Sequence, residues 1–249
     1  TWLFGGIHRS QAREADGPAL FRVAEASEEP LLIHQSMSAG GVVLDHDADR
    51  PVILEDMFIC HHHCRTYPLF PSPVAQDTSI WRLYRNTRPE NATKEVFVND
   101  CLFFACAEGG RHAIDNVRAW VRFLNNENVP GALHAFRQSD VWILGFKSEH
   151  AETLVHADAQ SHVEVLGGSF LNWTAWKGPV VSCRDSYIFI AFLMWHWRKA
   201  AETIWQDETD GVVTNVPAAR FQNLAKGDSA VIAICQGGPW NRKGDNSTG

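Results

Sequence analysis

The side chains with the clearest chemical potential are carboxylates near position 50. Asp45-His46-Asp47-Ala48-Asp49 alternates three aspartates with other residues. In an extended segment successive side chains point to opposite faces, so the three carboxylates are predicted to project to one side. That arrangement suits a calcium site or the paired carboxylates of a hydrolase. The alternative is a solvated acidic turn just before a strand that begins at Pro51.

A second acidic pattern occurs twice in the chain. The segments 52–57 and 96–101 both place an aspartate after an apolar triplet and one acid or amide, at an offset of 44 residues. We interpret this offset as two steps of a repeat, with the same corner returning two coils later. The alternative role is hydrogen bonding to the amides of a turn. The candidate catalytic carboxylates are therefore Asp45, Asp47, Glu55, Asp56 and Asp100.

A lyase that acts on uronates also needs a basic group to abstract a proton and a cation to stabilise the resulting enolate. The arginines closest to the acidic segments are Arg65, Arg82, Arg85 and Arg122. Any of them suits that role, and a surface or salt-bridging arginine is the alternative for each. We take Arg65 as the candidate catalytic arginine.

The densest group of metal-ligating residue types is Cys60-His61-His62-His63-Cys64. An extended backbone sends His61 and His63 to one side and the other three residues to the opposite side. A structural zinc takes four ligands, and the nearest second pair is Cys101 with Cys106. His61 and His63 are the candidate metal ligands. The alternative is a strand with inward cysteines and with histidines that face water or sugar.

Tryptophan is abundant, with 10 among 249 residues. An exposed indole ring can stack on a pyranose, while nearby Asn172, His196 and Arg198 offer hydrogen bonds to hydroxyls. Packing of loops onto the core is the alternative role for these rings. The candidate substrate-binding residues are Trp173, Trp176, Trp195 and Trp197.

Short strands must position these side chains. Brief apolar runs rich in β-branched and aromatic residues recur along the chain. Five run positions follow one another at steps of 22, 21, 22 and 25 residues: Val98, Trp120, Val141, Val163 and Ile188. A repeat of this length predicts a solenoid. No leucine ladder recurs, so we predict an all-β parallel β-helix with coils of roughly 21–25 residues, two or three strands in each.

The repeat predicts one β-helix domain over residues 1–249. We expect an irregular or edge coil over 1–30, the coils over 31–190, and terminal loops or a capping segment over 191–249. Within the last part, residues 191–205 suit a short helix or a loop. No capping helix is evident in residues 1–6, and an open end exposes strand edges. We expect a missing upstream portion or another chain to cover it.

Composition excludes several classes of protein. The chain has 22 basic and 29 acidic residues and a net charge of −7, the wrong sign for a nucleic-acid-binding surface. The longest apolar run, Tyr187–Trp195, is much shorter than the roughly 20 residues that a spanning helix needs, so no membrane insertion is predicted. No phosphate-binding loop or serine-hydrolase elbow is present. The 6 cysteines suit disulfides and buried thiols equally.

The stretch from about position 52 to 216 resembles bacterial proteins of the pectate-lyase-like superfamily. The segments that carry this resemblance are Val52-Ile-Leu-Glu-Asp56, Tyr84-Arg-Asn-Thr87, Val96-Phe-Val-Asn-Asp100, Trp120-Val-Arg-Phe-Leu-Asn125, Val141-Trp-Ile-Leu-Gly-Phe-Lys-Ser-Glu149 and Val163-Glu-Val-Leu-Gly-Gly168. The resemblance implies a single-stranded right-handed parallel β-helix, exported to the periplasm or the extracellular space, that acts on or binds polysaccharide. No motif around the catalytic residues of characterised lyases is matched, so the resemblance extends to the fold and not to the chemistry.

Together these observations predict a secreted, polysaccharide-directed β-helix protein that acts as a lyase or a glycoside hydrolase, with calcium as the candidate cofactor. Two alternatives remain open at this stage. One is a structural or adhesive shaft of a fibre, surface layer or spike. The other is a carbohydrate-binding scaffold without catalysis.

Overall fold

The computed structural model describes residues 2–4, 19, 21–34, 37–38, 42–60, 82–86, 94–104, 112–127, 133–149, 153–172, 178–196, 201–221 and 230–237. Within these residues the chain forms three sheets and one short 3-10 helix, Ala218–Arg220. The apolar runs identified in the sequence form strands because their alternating residues bury one face. None of the described segments forms a helix with the length and apolar character that crossing a bilayer requires.

The large sheet has eleven strands. Its main path follows β1 (Trp2–Phe4), β3 (Leu31–His34), β6 (Val52–Glu55), β9 (Lys94–Phe104), β11 (Val117–Glu127), β13 (Asp140–Ser148), β15 (His162–Asn172), β17 (Tyr187–His196) and β20 (Ala230–Gly237). Two short strands, β4 (Met37–Ser38) and β7 (Phe58–Cys60), pair with each other, and β7 also pairs with β9.

Two smaller sheets supply the other side of the coils. The six-stranded sheet contains β10 (His112–Asp115), β12 (Leu133–Phe136), β14 (Val155–Ala157), β16 (Val181–Arg184), β18 (Thr203–Thr209) and β19 (Val212–Pro217). The three-stranded sheet contains β2 (Phe21–Val23), β5 (Val42–His46) and β8 (Arg82–Asn86). From β12 to β17 the chain alternates between the six-stranded and the large sheet, so each coil adds one strand to both. The predicted parallel β-helix is confirmed, with about 5 turns.

The coil spacing is confirmed, and the residues that pair across the coils differ by up to two positions from those used to count the repeat. The inward column is Val96, Ala119, Val141, Val163 and Ile188, which pair in this order at steps of 23, 22, 22 and 25 residues. All five side chains are buried. Trp120, counted with Val141 as a position of the repeat, pairs with Trp142 and faces outward. The outward position is also apolar, which is why hydrophobicity alone did not fix the register.

The offset of 44 residues corresponds to one coil step and not to two. Val52 pairs directly with Val96, and Glu55 pairs with Asn99, so β6 and β9 are hydrogen-bonded neighbours. The chain between them includes β8 on the three-stranded sheet. The coil between β6 and β9 is therefore 44 residues long, about twice the length of the later coils.

The segment 191–205 is not a helix where the structure describes it. β17 continues through Ala191 to His196, and β18 begins at Thr203. At this end the stacking changes direction, because β20 pairs antiparallel with β17 and β19 pairs antiparallel with β18. Two antiparallel strands thus terminate the parallel stack.

The first corner follows the outward residues of the large sheet. Successive coils place a residue with positive φ there: Asp56 (50°), Asp100 (55°), Phe123 (56°), Gly145 (80°) and Gly167 (79°). A left-handed residue in every coil turns each strand at the same height, so the strands stay in register on both sides of the bend. The recurring Asp corner seen in the sequence is therefore one part of this longer column.

The second corner lies between the six-stranded sheet and the large sheet. Its buried serines form a ladder, in which the amide of Ser139 donates to Ser161 Oγ at 3.3 Å and the amide of Ser161 donates to Ser186 Oγ at 3.0 Å. Ser139 Oγ also accepts from the Val117 amide at 3.3 Å. These hydroxyls satisfy buried backbone groups where the sheet ladder is interrupted.

Two of the six cysteines have described side chains, Cys101 and Cys183, and both are buried free thiols. Burial raises the pKa of each thiol to about 12. Because the thiolate is the reactive form, both thiols are expected to be inert structural residues.

Candidate functional site

We call one surface of the large sheet the outer face. It is the outward side of strands β3 to β17, before the first corner. Two rows of side chains cross it from coil to coil. The charged row is Glu95, Arg118, Asp140, His162 and Tyr187, and the aromatic row is Phe97, Trp120, Trp142, Glu164 and Phe189. The inward residues between them are apolar and buried, so strand alternation forces both rows outward.

The charged row is a continuous chain of contacts. Arg118 Nη1 lies 3.5 Å from Glu95 Oε1, and Arg118 Nε lies 3.9 Å from Asp140 Oδ2. His162 Nδ1 lies 3.8 Å from Asp140 Oδ1, and its Nε2 lies 2.9 Å from Glu164 Oε1. One imidazole therefore lies between two carboxylates from adjacent strands.

His162 and the two carboxylates beside it, Asp140 and Glu164, differ in exposure. The side chains of His162 and Asp140 are 9% and 12% exposed, whereas that of Glu164 is 31% exposed. The imidazole also meets the Trp142 ring edge to face, with centroids 5.8 Å apart. His162 is thus held on one side by an aromatic ring, with carboxylates at both of its nitrogens. Glu164 is the member of the group that presents most surface to solvent.

The aromatic row stacks along the axis of the solenoid. The Phe97 and Trp120 rings have centroids 4.7 Å apart with planes 9° from parallel, and Trp120 and Trp142 follow at 5.4 Å and 16°. Both faces of the Trp120 ring are therefore covered by neighbouring rings. A sugar on this row would meet ring edges and not ring faces.

A band of exposed side chains borders these rows at the first corner. It contains the exposed apolar residues Phe123, Leu144 and Leu166, together with the exposed Arg122. Arg122 pairs in register with Asn99 and Leu144. The outer face therefore combines charged, aromatic and aliphatic surface within one sheet.

Two predicted catalytic carboxylates also lie at this face. His34 Nδ1 lies 3.2 Å from Glu55 Oε2 and 3.7 Å from Asp56 Oδ2, and Asn99 Nδ2 donates to Glu55 Oε1 at 2.8 Å. Asp100 occupies the same corner column as Asp56, one coil further. The structure thus brings Glu55, Asp56 and Asp100 to one corner.

Asp45 and Asp47 lie elsewhere, at the three-stranded sheet. β5 ends at His46, so the extended alternation expected through residue 49 does not continue. Asp47 accepts from Arg22 Nη2 at 2.6 Å and is buried. Asp45 is also buried and pairs in register with Arg22 and Arg85. The predicted acidic set is therefore divided between two sheets.

The remaining predicted residues have no described side chains. Trp195 belongs to β17, where it pairs with Leu171. The other candidates lie outside the described residues: His61, His63, Arg65, Trp173, Trp176 and Trp197. In the part of the chain that the structure does describe, no three His, Cys, Asp or Glu side chains come together as metal ligands.

Four residues of this site were not predicted from the sequence: Arg118, Asp140, His162 and Glu164. A signal for three of them was available, because Arg118, Asp140 and His162 follow one another at intervals of 22 residues, the length of the coil. Ionisable residues of different types that are separated by the length of one coil are predicted to be neighbours on adjacent strands. The spacing did not show that these side chains face outward, because it did not determine the register of the strands.

No model of a known protein family, no curated protein and no solved structure matches this chain.

Proposed function

We propose that this chain is a polysaccharide-directed β-helix enzyme that hydrolyses glycosidic bonds on the outer face, with Asp140 and Glu164 as its two carboxylates. The observation that carries the proposal is the contact of one imidazole, His162, with both carboxylates. Glycoside hydrolysis needs two carboxyl groups that flank the scissile bond. Adjacent strands of a rigid solenoid hold such a pair at fixed separation.

The different exposures suggest different roles. Glu164 is the most exposed of the three, so it is the carboxyl that a substrate reaches most readily, and we assign it as the acid that protonates the leaving oxygen. Asp140 is largely shielded and lies near both Arg118 and His162, so it is assigned as the second carboxylate. His162 contacts both groups and serves as a positioning residue.

The shape of the outer face suits a polymer. From β3 to β15 the sheet advances five strand steps of about 4.8 Å, or about 24 Å in total. A face of this length accommodates several sugar units. The Glu55, Asp56 and Asn99 cluster lies three to four strand steps from His162 along that length. The resemblance to exported β-helix proteins adds an extracellular or periplasmic location to the proposal.

The proposal is tested by turnover on a panel of neutral and acidic polysaccharides, with and without calcium. Reducing-end release without absorbance near 235 nm is expected. Asp140→Asn and Glu164→Gln are each expected to lower turnover by at least about 100-fold. Glu208→Gln on the six-stranded sheet is the control and should keep wild-type turnover.

Two results would contradict this assignment. Wild-type turnover in the Asp140→Asn, Glu164→Gln double variant would remove the site. A rise in absorbance near 235 nm would identify a lyase and return attention to the predicted acids, namely Asp45, Asp47, Glu55, Asp56 and Asp100, together with Arg65.

A second candidate function is a structural or adhesive shaft without catalysis. The stacked rings of the aromatic row and the serine ladder favour it, because both are repeated contacts that stabilise a rod. In this case another chain or an upstream segment would cover the first coil. Absence of turnover and of binding on every polysaccharide would favour the shaft.

A further inference from the structure

We infer that the polysaccharide bound at the outer face carries no anionic groups because carboxylates predominate on this face, and that Glu95 strengthens this selectivity by pairing with the guanidinium of Arg118. The inference rests on the proposed polysaccharide function. It deepens that function by naming the substrate class, which is a neutral or amino-bearing glycan and not a polyuronate or sulfated glycan.

Arg118 is the arginine of the charged row, between Glu95 and Asp140. Its guanidinium lies between two carboxylates, 3.5 Å from Glu95 and 3.9 Å from Asp140. The side chain is 35% exposed, so a ligand can reach it. Its charge is already offset by two acids, so it offers little net attraction to the carboxylate of a uronate.

The whole outer face carries an excess of negative charge. Among the described residues of the outer face and its first corner, carboxylates outnumber guanidinium groups. The carboxylates are Glu55, Asp56, Glu95, Asp100, Asp140 and Glu164, and the guanidinium groups are Arg118 and Arg122. The full chain has the same sign, with a net charge of −7. A polymer with an acid on every sugar would be repelled along this length.

Arg122 is the exception, and it does not change the balance. It is exposed and has no ion-pair partner within the described part of the chain, with Asn99 and Leu144 as its register neighbours. One cation at the edge of the corner can meet one anionic group. It cannot neutralise a repeating series of them.

The same carboxylates favour the opposite kind of ligand. Ionised carboxylates only accept hydrogen bonds, and their natural partners are hydroxyl and ammonium donors. A neutral glycan offers hydroxyl groups at every unit, and a partly deacetylated amino-sugar polymer adds ammonium groups. Both fit a face with an excess of acceptors.

The test compares three polymers of matched length: a neutral glucan, a polyuronate and a partly deacetylated amino-sugar polymer. Affinity electrophoresis or pull-down at about 50 mM salt measures retention, where screening is moderate. The wild-type protein should retain the neutral or the amino-bearing polymer and leave the polyuronate unbound. Retention that falls as salt rises would identify the ammonium groups as the recognised feature, and salt-independent retention would identify a neutral glycan.

Glu95→Gln tests the role of Glu95, because it removes the negative charge of the carboxylate that lies closer to Arg118. Polyuronate retention should rise by about 2- to 5-fold at low salt and return to the wild-type level at high salt. Glu149→Gln is a matched control. It changes the charge by the same amount and releases Lys147 from a 2.6 Å pair, but beyond the first corner, so polyuronate retention should not rise. Thermal unfolding of both variants checks that the fold is kept.

The outcomes separate the two proposals. Wild-type binding of polyuronate as tight as that of the neutral and amino-bearing polymers would overturn the selectivity while leaving polysaccharide binding intact. An equal gain in the two glutamine variants would overturn the role of Glu95. If the wild-type protein and both glutamine variants bind none of the three polymers, the polysaccharide function is overturned, and the selectivity with it.

Discussion

Trp120 and Trp142 lie face to face on adjacent strands of the large sheet, with ring centroids 5.4 Å apart and planes 16° from parallel. Phe97 covers the other face of Trp120 at 4.7 Å. The in-register spacing of a parallel sheet, about 4.8 Å, is close to the distance at which aromatic rings stack. Identical register in successive coils therefore produces a stack along the axis, and Trp120 is its central member.

Replacing the central ring should cost more stability than replacing a ring at the end of the row. Trp120→Leu removes two stacking contacts, each worth about 0.5–1.5 kcal/mol, so a loss of about 1–3 kcal/mol is expected. Phe189→Leu, next to Glu164 in the same row, is the control and should cost less than about 1 kcal/mol. Urea unfolding measures both, and equal losses would show that stacking contributes nothing beyond burial.

The serine ladder gives a second stability prediction. Ser161→Ala removes the acceptor of the Ser139 amide, which lies at a fully buried position. An unsatisfied buried amide costs about 1–3 kcal/mol, and the free energy of unfolding should fall by this amount. Ser182→Ala, at a half-buried position on the six-stranded sheet, should change it by less than about 0.5 kcal/mol. A similar loss in both variants would contradict a specific role for the ladder.

His46 should make stability depend on pH. Burial lowers its pKa from 6.5 to about 4, and a hydrogen bond between its Nε2 and the Arg50 carbonyl oxygen, at 2.7 Å, only partly opposes that shift. Between these two values the unfolded chain binds a proton that the folded protein excludes. The contribution is therefore complete above pH 6.5 and is lost as the pH falls towards 4, by about 3 kcal/mol in total.

The variant His46→Gln isolates this effect from that of the acidic residues. Its free energy of unfolding should fall less steeply than that of the wild-type protein between pH 6.5 and 4. Above pH 6.5 the two curves should run parallel. The measurement is urea unfolding at half-unit pH steps, and parallel curves over the whole range would show that His46 becomes protonated without cost.

The strands and the solenoid were predictable from the sequence, because apolar runs that recur at the length of one coil are typical of a solenoid. The register was not. Hydrophobicity identifies the inward side only when the outward side is polar, and here Trp120 and Trp142 make the outward row apolar as well. The length of the step from β6 to β9 was also hidden, because one step of 44 residues cannot be distinguished by counting from two steps of 22.

The candidate site was less predictable than the fold. Glu55 and Asp56 were identified because they recur beside an apolar triplet, and the structure does bring them to the outer face. Glu164 lies two residues from His162 on the same strand, but Asp140 belongs to the preceding strand and meets the imidazole only through the stacking of coils. Such contacts depend on register to within one residue, which is the quantity that spacing did not determine.

Two neighbouring glycines test this register directly. Gly167 has a φ of 79° at the first corner, and the space that a Cβ would occupy is open. Gly167→Ala should therefore lower the free energy of unfolding by about 1 kcal/mol through backbone strain alone. Gly168 pairs with Phe146 on β13, and a Cβ there would lie 2.5 Å from the Phe146 carbonyl oxygen. Gly168→Ala must therefore push β15 away from β13 and should cost about 2–3 kcal/mol. Urea unfolding of the two alanine variants decides the point: a Gly168→Ala variant as stable as Gly167→Ala would mean that the coils do not stack in this register, and the contacts of His162 with Asp140 would be lost with it.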